Sequence, residues 1–423
     1  MTRGGPNATV RERSAAPRIL VTDARLGSAI SIIRSLGRRG WYVLAADSDP
    51  RSPGFYSRYA RERVRYPPPL LAPDAVVDTL LQVVAERNVD LIVPVTDEII
   101  LPLSAGRDRF AGRCSLALPD ASALAICTSK AATLELACRL GVPAPRSCLV
   151  KTTEEARQHA GSFGWPIVLK PESAKLYRTG RPVEALTVAY AENEEQLARR
   201  FERFEGRCDV LMQEYWPGEG HGVGLLLHRG RPLAAFQHRR LRETPLSGGA
   251  SSFRESVPLD PALYDYAVRL LRALDWTGPA MVEFKVGPHG PRLMEINGRI
   301  WGSLPLATRS GVDFPRGWME LCLFGPPRGD VAPQTTYAVG LRSRNLELEL
   351  VWIKSVLSGD RRYRFEHMPS RRHALAVALR LLNPADGYDV LSRDDPLPGV
   401  AEVLRIARKA LGTVRHRPVA LCT

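Results

Sequence analysis

Two stretches, Ala280-Met-Val-Glu-Phe-Lys-Val286 and Arg292-Leu-Met-Glu-Ile-Asn297, are parted by Gly287-Pro-His-Gly-Pro291, and together they decide the fold. Each flank alternates with a period of two, as half-buried strands do, and the segment between them is rich in chain-reversing residues. A hairpin centred on His289 makes Glu283 and Glu295 direct cross-strand partners and points Asn297 from the same face. Two like charges about 5 Å apart repel by roughly 3 kcal/mol at an effective dielectric of about 20. A shared proton or a bound cation would relieve that cost. Three oxygen-bearing side chains on one face suit Mg²⁺, which takes one or two carboxylates and completes its octahedron with water and phosphate. A solvated strand face in a shifted register is the competing account.

Outward from the hairpin, the N-terminal third alternates strands with helices. Ile19-Leu-Val21, Trp41-Tyr-Val-Leu-Ala45 and Asp90-Leu-Ile-Val-Pro94 read as strands, with helices at residues 28–39 and 75–87. Parallel strands need crossover connections, so this pattern predicts a doubly wound parallel sheet. Asp47 ends the second strand where a dinucleotide-binding fold places a ribose acid. The first turn, Thr22-Asp-Ala-Arg-Leu-Gly27, lacks the repeated glycines that such a site needs, so no NAD site is expected. Thr96-Asp-Glu98 follows a strand at its carboxyl end, where such folds collect ligands, although a helix cap accounts for it as well.

Between residues 121 and 329, several polar residues end strands or open helices. Lys130 precedes a helical run, and Lys170 ends the apolar strand Pro166-Ile-Val-Leu-Lys170. Only 7 of the 59 basic residues are lysine, so lysine at both places hints that a compact ammonium is wanted, as for clamping phosphate oxygens. Gln213-Glu-Tyr-Trp216 ends another strand with a carboxylate beside aromatic rings, a connection against which an adenine could lie. Arg239-Arg-Leu-Arg242 and Ser247-Gly-Gly-Ala-Ser-Ser252 read as a basic and then glycine-rich loop, able to cradle an anion and neutralise a transferred phosphoryl group. Arg299 stands just past the acidic hairpin. The block from 330 to 423 carries amphipathic helical patterns at 345–357, 372–382 and 400–411 and no catalytic constellation. An oligomer contact is its expected use, with membrane-surface contact by the basic helix near 371–382 as the alternative.

A chain of 423 residues points to two or three domains, and its 44% hydrophobic content is that of a globular protein. The net charge of +14 comes from arginines spread along the whole chain without interleaved aromatics. That pattern argues against a dedicated nucleic-acid role and leaves an anionic substrate favoured. Seven scattered cysteines with no C-x-x-C pair exclude a zinc framework and fit a reducing cytoplasm. No apolar run has the length of a membrane span, and residues 1–17 read as a disordered tail.

Taken in order, Lys130, Lys170-Pro171, Gln213-Glu214, Val282-Glu-Phe284 and Met294-Glu-Ile-Asn-Gly-Arg299 resemble the motifs of the ATP-grasp superfamily, most specifically in the last piece. The likeness covers residues 18–325, and carboxylate–amine ligases and the carbamoyl-phosphate-synthase-like branch look most similar. It implies an α/β chain, α+β in the grasp region. A Rossmann-like pre-ATP-grasp domain would span 18–120, an ATP-grasp domain 121–329 and a helical C-terminal region 330–423. By the same resemblance, Lys130 and Lys170 contact phosphates, and Glu214 with Tyr215 and Trp216 holds adenine. Glu283, Glu295 and Asn297 hold Mg²⁺ (Mn²⁺ as an alternative), and Arg299 steadies the transferred phosphoryl group; Arg240, from the reading of the basic loop, is the second expected catalytic residue. Two departures stand out. The segment Glu172–Gly180 is glycine-poor, leaving Lys175 or Arg178 to cover the phosphates. The family's ribose acid is replaced by His221, with Glu219 as the substitute. The expected activity is ATP-dependent ligation of a small-molecule carboxylate to an amine through an acyl phosphate. The alternatives are a bicarbonate-dependent carboxylase or carbamoyl-phosphate-type enzyme, or a nucleotide-binding regulatory module without turnover.

Overall fold

Apolar runs buried on both faces become a parallel sheet at the N-terminal end of the computed structural model, which describes residues 16–246, 248–329, 331–359, 368–383 and 385–415. Apart from Ala16 and Pro17, the tail expected over 1–17 lies outside the described residues. The strands lie in the order Glu62–Arg65, Tyr42–Asp47, Arg18–Val21, Leu91–Val93, Ser115–Leu116. All pairs are parallel, Ile19 facing Val43 on one side and Leu91 on the other. Because side chains alternate, Ile19, Val21 and Val43 enter one core with helix Gly27–Gly37. Leu20, Leu44 and Ile92 enter a second core with helices Pro73–Arg87 and Asp97–Ala105. The first core also takes in Leu226, Trp301, Leu304 and Phe314, so helix Gly27–Gly37 joins the N-terminal sheet to the region that follows the hairpin.

Two sheets make the next layer, antiparallel throughout except for the last pair of the larger one, Arg342–Arg344 with Gly387–Tyr388, which is parallel. The smaller has the order Ala189–Ala191, Ile167–Pro171, Val210–Glu214, Ser147–Val150. One of its faces is covered by helices Thr153–Ala160 and Glu194–Phe201, which bury Ala156, Leu197 and Phe201 against Ile167, Leu169 and Met212. Lys170 falls on the opposite parity and faces away from that core. The larger sheet has seven strands: Gly290–Asn297, Gly278–Gly287, Glu219–His228, Arg231–Thr244, Ala250–Ser256, Arg342–Arg344 and Gly387–Tyr388.

The expected hairpin is present, with Glu283 opposite Glu295. Its outer half differs from a turn centred on His289. Gly287 pairs with Gly290, so only Pro288 and His289 form the turn, and Phe284 pairs with Leu293 rather than Met294. A bulge between Glu283 and Phe284 absorbs Met294 as an extra residue and restores the pairing of the two glutamates. The reason is packing: in this register Leu293 is fully buried beside Phe284, and its N–H donates to the carbonyl of Pro143 at 2.8 Å.

Two expectations are corrected. Arg239–Arg242 is not a loop; it lies on the strand Arg231–Thr244, and Ala250–Ser256 is the next strand, so only the short connection around Gly248 and Gly249 remains irregular (Ser247 lies outside the described residues). Nor is the C-terminal region helical alone. Helices Leu346–Leu357, Arg371–Arg380 and Leu397–Arg415 form, but Arg342–Arg344 and Gly387–Tyr388 extend the large sheet. A buried carboxylate fixes this union. Glu349 accepts from Arg242 Nε (3.0 Å) and Nη2 (2.6 Å), Ser252 Oγ (2.8 Å) and Arg344 Nη1 (2.8 Å). Among the described residues no helix is long and apolar enough to cross a membrane.

Candidate active site

Alternation along Gly278–Gly287 puts Met281, Glu283 and Lys285 on one face of the large sheet, and the bulge adds Met294 to the side of Glu295 and Asn297. All six side chains line a cavity of about 430 Å³ that also touches Lys130, Lys170 and Tyr190 from across the cleft. Arg240 and Glu243, the connection at Gly248 and Gly249, and Arg299 complete its polar wall.

Asn297 resolves the contact between the two carboxylates by donating from Nδ2 to Glu283 Oε1 (2.9 Å) and Glu295 Oε1 (3.1 Å). Arg240 pairs with the other oxygen of Glu283 and reaches Glu243 at 2.9 Å and the carbonyl of Gly249 at 3.0 Å. The environments of the two glutamates split their affinities for a proton. Burial, reinforced by the Glu295 charge, pushes Glu283 up to about 7 against the pull of Arg240. Burial also acts on Glu295, but Lys130, Lys170, Arg240 and Arg299 together bring it below the ordinary carboxylate range. Either a proton or a cation therefore completes the pair near neutrality. Among the described residues no three His, Cys, Asp or Glu side chains group as an all-protein metal cage. Two carboxylates and an amide, turned so that its oxygen faces inward, instead fit a hard cation that shares its shell with phosphate oxygens.

The lysines are poised for an anion. Burial lowers Lys170 to about 8 and also lowers Lys130. An incoming phosphate would stabilise both ammonium charges in a medium where Coulomb attraction is strong. Lys130 opens the helix Lys130–Arg139, whose first N–H groups are capped by Glu172: Ala131 N donates to its Oε2 at 3.1 Å. Arg299 is held by Asp97 (Nε to Oδ1, 2.8 Å), so the N-terminal domain aims the arginine.

Glu214, Tyr215, Trp216, Glu219 and His221 are placed next to this cavity's strands but are not among its described lining residues. Glu214 accepts from Arg146 N (2.9 Å) and Nε (2.8 Å). The Tyr215 ring lies 6.4 Å from that of Tyr190 and 5.6 Å from Lys285 Nζ, while Arg292 lies 4.0 Å over Trp216. His221 Nε2 meets Glu219 Oε2 at 3.3 Å, and its Nδ1 meets Gln237 Nε2 at 3.2 Å. The two ribose candidates therefore touch each other. In the N-terminal region, Asp47 accepts from Arg25 N (2.7 Å), Asp49 N (2.9 Å) and Ser52 Oγ (3.1 Å).

Residues 207–342 match the family described as "ATP-grasp in the biosynthetic pathway with Ter operon". Among solved structures, the biotin carboxylase domain of 2-oxoglutarate carboxylase from Hydrogenobacter thermophilus superposes with a TM-score of 0.61 at 19% identity, over 78% of this chain and 74% of that chain. For N5-carboxyaminoimidazole ribonucleotide synthetase from Thermus thermophilus the values are 0.54, 18%, 75% and 81%. The chain has an ATP-grasp fold, and its residues 207–342 match an ATP-grasp family. Curated relatives are matched over about half of their length or less. Carnosine synthase 1 of Gallus gallus is 34% identical over 122 residues, 28% of this chain and 12% of that protein. The small subunit of 2-oxoglutarate carboxylase of H. thermophilus is 27% identical over 268 residues, 56% of this chain and 53% of that one.

Lys285 and Glu243, which sequence reasoning passes over, also line this cavity, and Glu172 supports the segment that carries Lys130. Lys285 shares the parity of Glu283, a signal that was present in the alternating strand. Glu243 and Glu172 gave none, because each acts through a partner brought near by the fold rather than by a spacing.

Proposed function

We propose that this ATP-grasp protein is an ADP-forming ligase that activates a carboxylic acid as an acyl phosphate and passes the acyl group to an amine. The observation that carries this is the carboxylate pair bridged by Asn297, set across one cavity from Lys130, Lys170 and Lys285. Glu283, Glu295 and Asn297 would hold Mg²⁺, and the three lysines the phosphates. The metal would neutralise charge on the transferred group. Arg299 and Arg240 orient and neutralise the γ-phosphoryl group, and an oxygen of the substrate carboxylate attacks phosphorus as the bond to the bridging oxygen of ADP breaks. No side-chain nucleophile is needed; positioning and charge do the chemistry. Glu214 and the main chain of Tyr215 and Trp216 are our assignment for adenine, with Glu219 or His221 for ribose. The likeness to carnosine synthase 1 supports joining an acid to an amine.

Replacing Glu295 by alanine is expected to abolish ADP release while the circular dichroism spectrum stays unchanged; normal turnover in Glu295→Ala would refute the metal assignment. Hydroxylamine trapping with a panel of acids tests the intermediate, since an acyl phosphate yields a hydroxamate plus phosphate. The match to a 2-oxoglutarate carboxylase subunit favours one second reading, a bicarbonate-dependent reaction, which would show ADP release with bicarbonate and no organic acid. Six free cysteines among the described residues support a reducing, cytoplasmic setting. An oligomer contact through the C-terminal helices would be checked by light scattering.

A further inference from the structure

The hairpin residues Met294, Glu295, Asn297 and Arg299, with Lys130, line not one cavity but two. The second cavity, also about 430 Å³, lies on the side of the N-terminal domain and is closed by the segment Ser173–Arg178. That volume fits a small organic molecule and is far larger than bicarbonate requires. Its wall is half apolar: Leu101 from the helix after strand Leu91–Val93, Leu124 and Leu134 from the helices that flank Lys130, and Leu176 from the closing segment.

The charges on the wall are unequal. Asp97 is already paired with Arg299 and the adjacent Glu98 with Lys175, each at 2.8 Å. Among the described residues neither Lys130 nor Arg178 has a carboxylate within ion-pair distance, so two cations are left for an anionic ligand. Position supports the same conclusion. The strand order reverses between Arg18–Val21 and Leu91–Val93, and ligands of open α/β sheets collect at the carboxyl ends of strands at that switch point, where Asp97 and Leu101 stand. Phosphoryl transfer also sets attacking and leaving oxygens roughly in line, so an acid is best delivered from the side opposite the nucleotide.

We infer that this second cavity binds the acid substrate, a monocarboxylic acid with an apolar body, its carboxylate toward Lys130 and Arg178 and its body against Leu101, Leu124, Leu134 and Leu176. This rests on the ligase assignment above. The test measures hydroxamate formation and MgATP binding for the full chain with straight-chain acids from acetate to octanoate, and with succinate. In the unaltered chain kcat/KM should rise about fourfold per methylene until the cavity is full, with succinate poor. Leu134→Trp should cut kcat/KM for octanoate at least tenfold and leave acetate within threefold. Arg178→Ala, at an exposed position, should raise KM for the acid about tenfold. MgATP affinity should stay within twofold in Leu134→Trp. Hydroxamate formation with an unchanged acid profile in both variants, or loss of MgATP binding in Leu134→Trp instead, would overturn the cavity assignment and leave the ligase standing. No hydroxamate from any acid in the unaltered chain would overturn the ligase assignment and this inference with it.

Discussion

Glu283 and Glu295 are the same residue type on facing strands, yet their surroundings give them opposite tendencies. Glu283 rises from 4.5 to about 7, because burial outweighs its single arginine, whereas Glu295 falls under the combined pull of two lysines and two arginines. A raised carboxyl contributes stability at acid pH that is lost as pH climbs through about 7; a cation on the pair removes that loss. MgADP should therefore raise the melting temperature more at pH 8 than at pH 6. Its affinity should weaken about tenfold per pH unit below 7, as one proton competes with the metal. Calorimetric titrations at three pH values check this, and Glu283→Gln should flatten the dependence. That these two residues face each other was legible, since period-two alternation around a turn puts them there. Their split affinities were not, because Arg240 lies 43 positions from Glu283 in sequence and on a segment that reads as a loop. Likewise Arg146, which holds Glu214, sits 68 positions away.

At the scale of the element, the hairpin shows what alternation can and cannot tell. It located both strands and the facing pair, but a bulge inserts a residue without disturbing the pattern on either side, so the role of Met294 was invisible. Deletions separate the two cases. Removing Met294 leaves a regular ladder in which Glu283 still meets Glu295, so folded protein that binds MgADP more weakly is expected. Removing His289 from a two-residue turn forces a slip that reverses faces, and insoluble protein is expected, read by expression and ADP titration. The strand Ala250–Ser256 is hidden because its serines and the preceding glycines read as a loop; what makes it a strand is pairing with Arg231–Thr244 on one side and, on the other, with Arg342–Arg344 from 87 or more positions away. The buried Glu349 holds that pairing together. Glu349→Leu should cost about 3–5 kcal/mol, since it removes the carboxylate that pairs with Arg242 and leaves Arg344 with Asp386 alone. A fall in the urea midpoint measures it.

Across the whole molecule, the N-terminal region reaches into the site through side chains. Asp97 orients Arg299, Glu98 holds Lys175, and Asp74 accepts from Tyr177 Oη (2.9 Å) and Gly180 N (2.7 Å). Asp97 and Arg299 are each more than a quarter exposed, so their pair contributes below about 1 kcal/mol to stability. Asp97→Asn should accordingly leave the melting temperature within about 2 °C yet lower kcat at least tenfold, because a freed Arg299 no longer points at the phosphoryl group. Equal losses of stability and rate would make the pair structural. The C-terminal strands carry a consequence of a different kind. Phe253, Arg254 and Glu255 find their main-chain partners in Arg344, Ser343 and Arg342. A protein shortened to residues 16–329 would keep every proposed metal and phosphate ligand yet bare a sheet edge, free to recruit the same edge of another copy. Its expected fate is self-association, so the last quarter of the chain acts as a guard on the solubility of the rest.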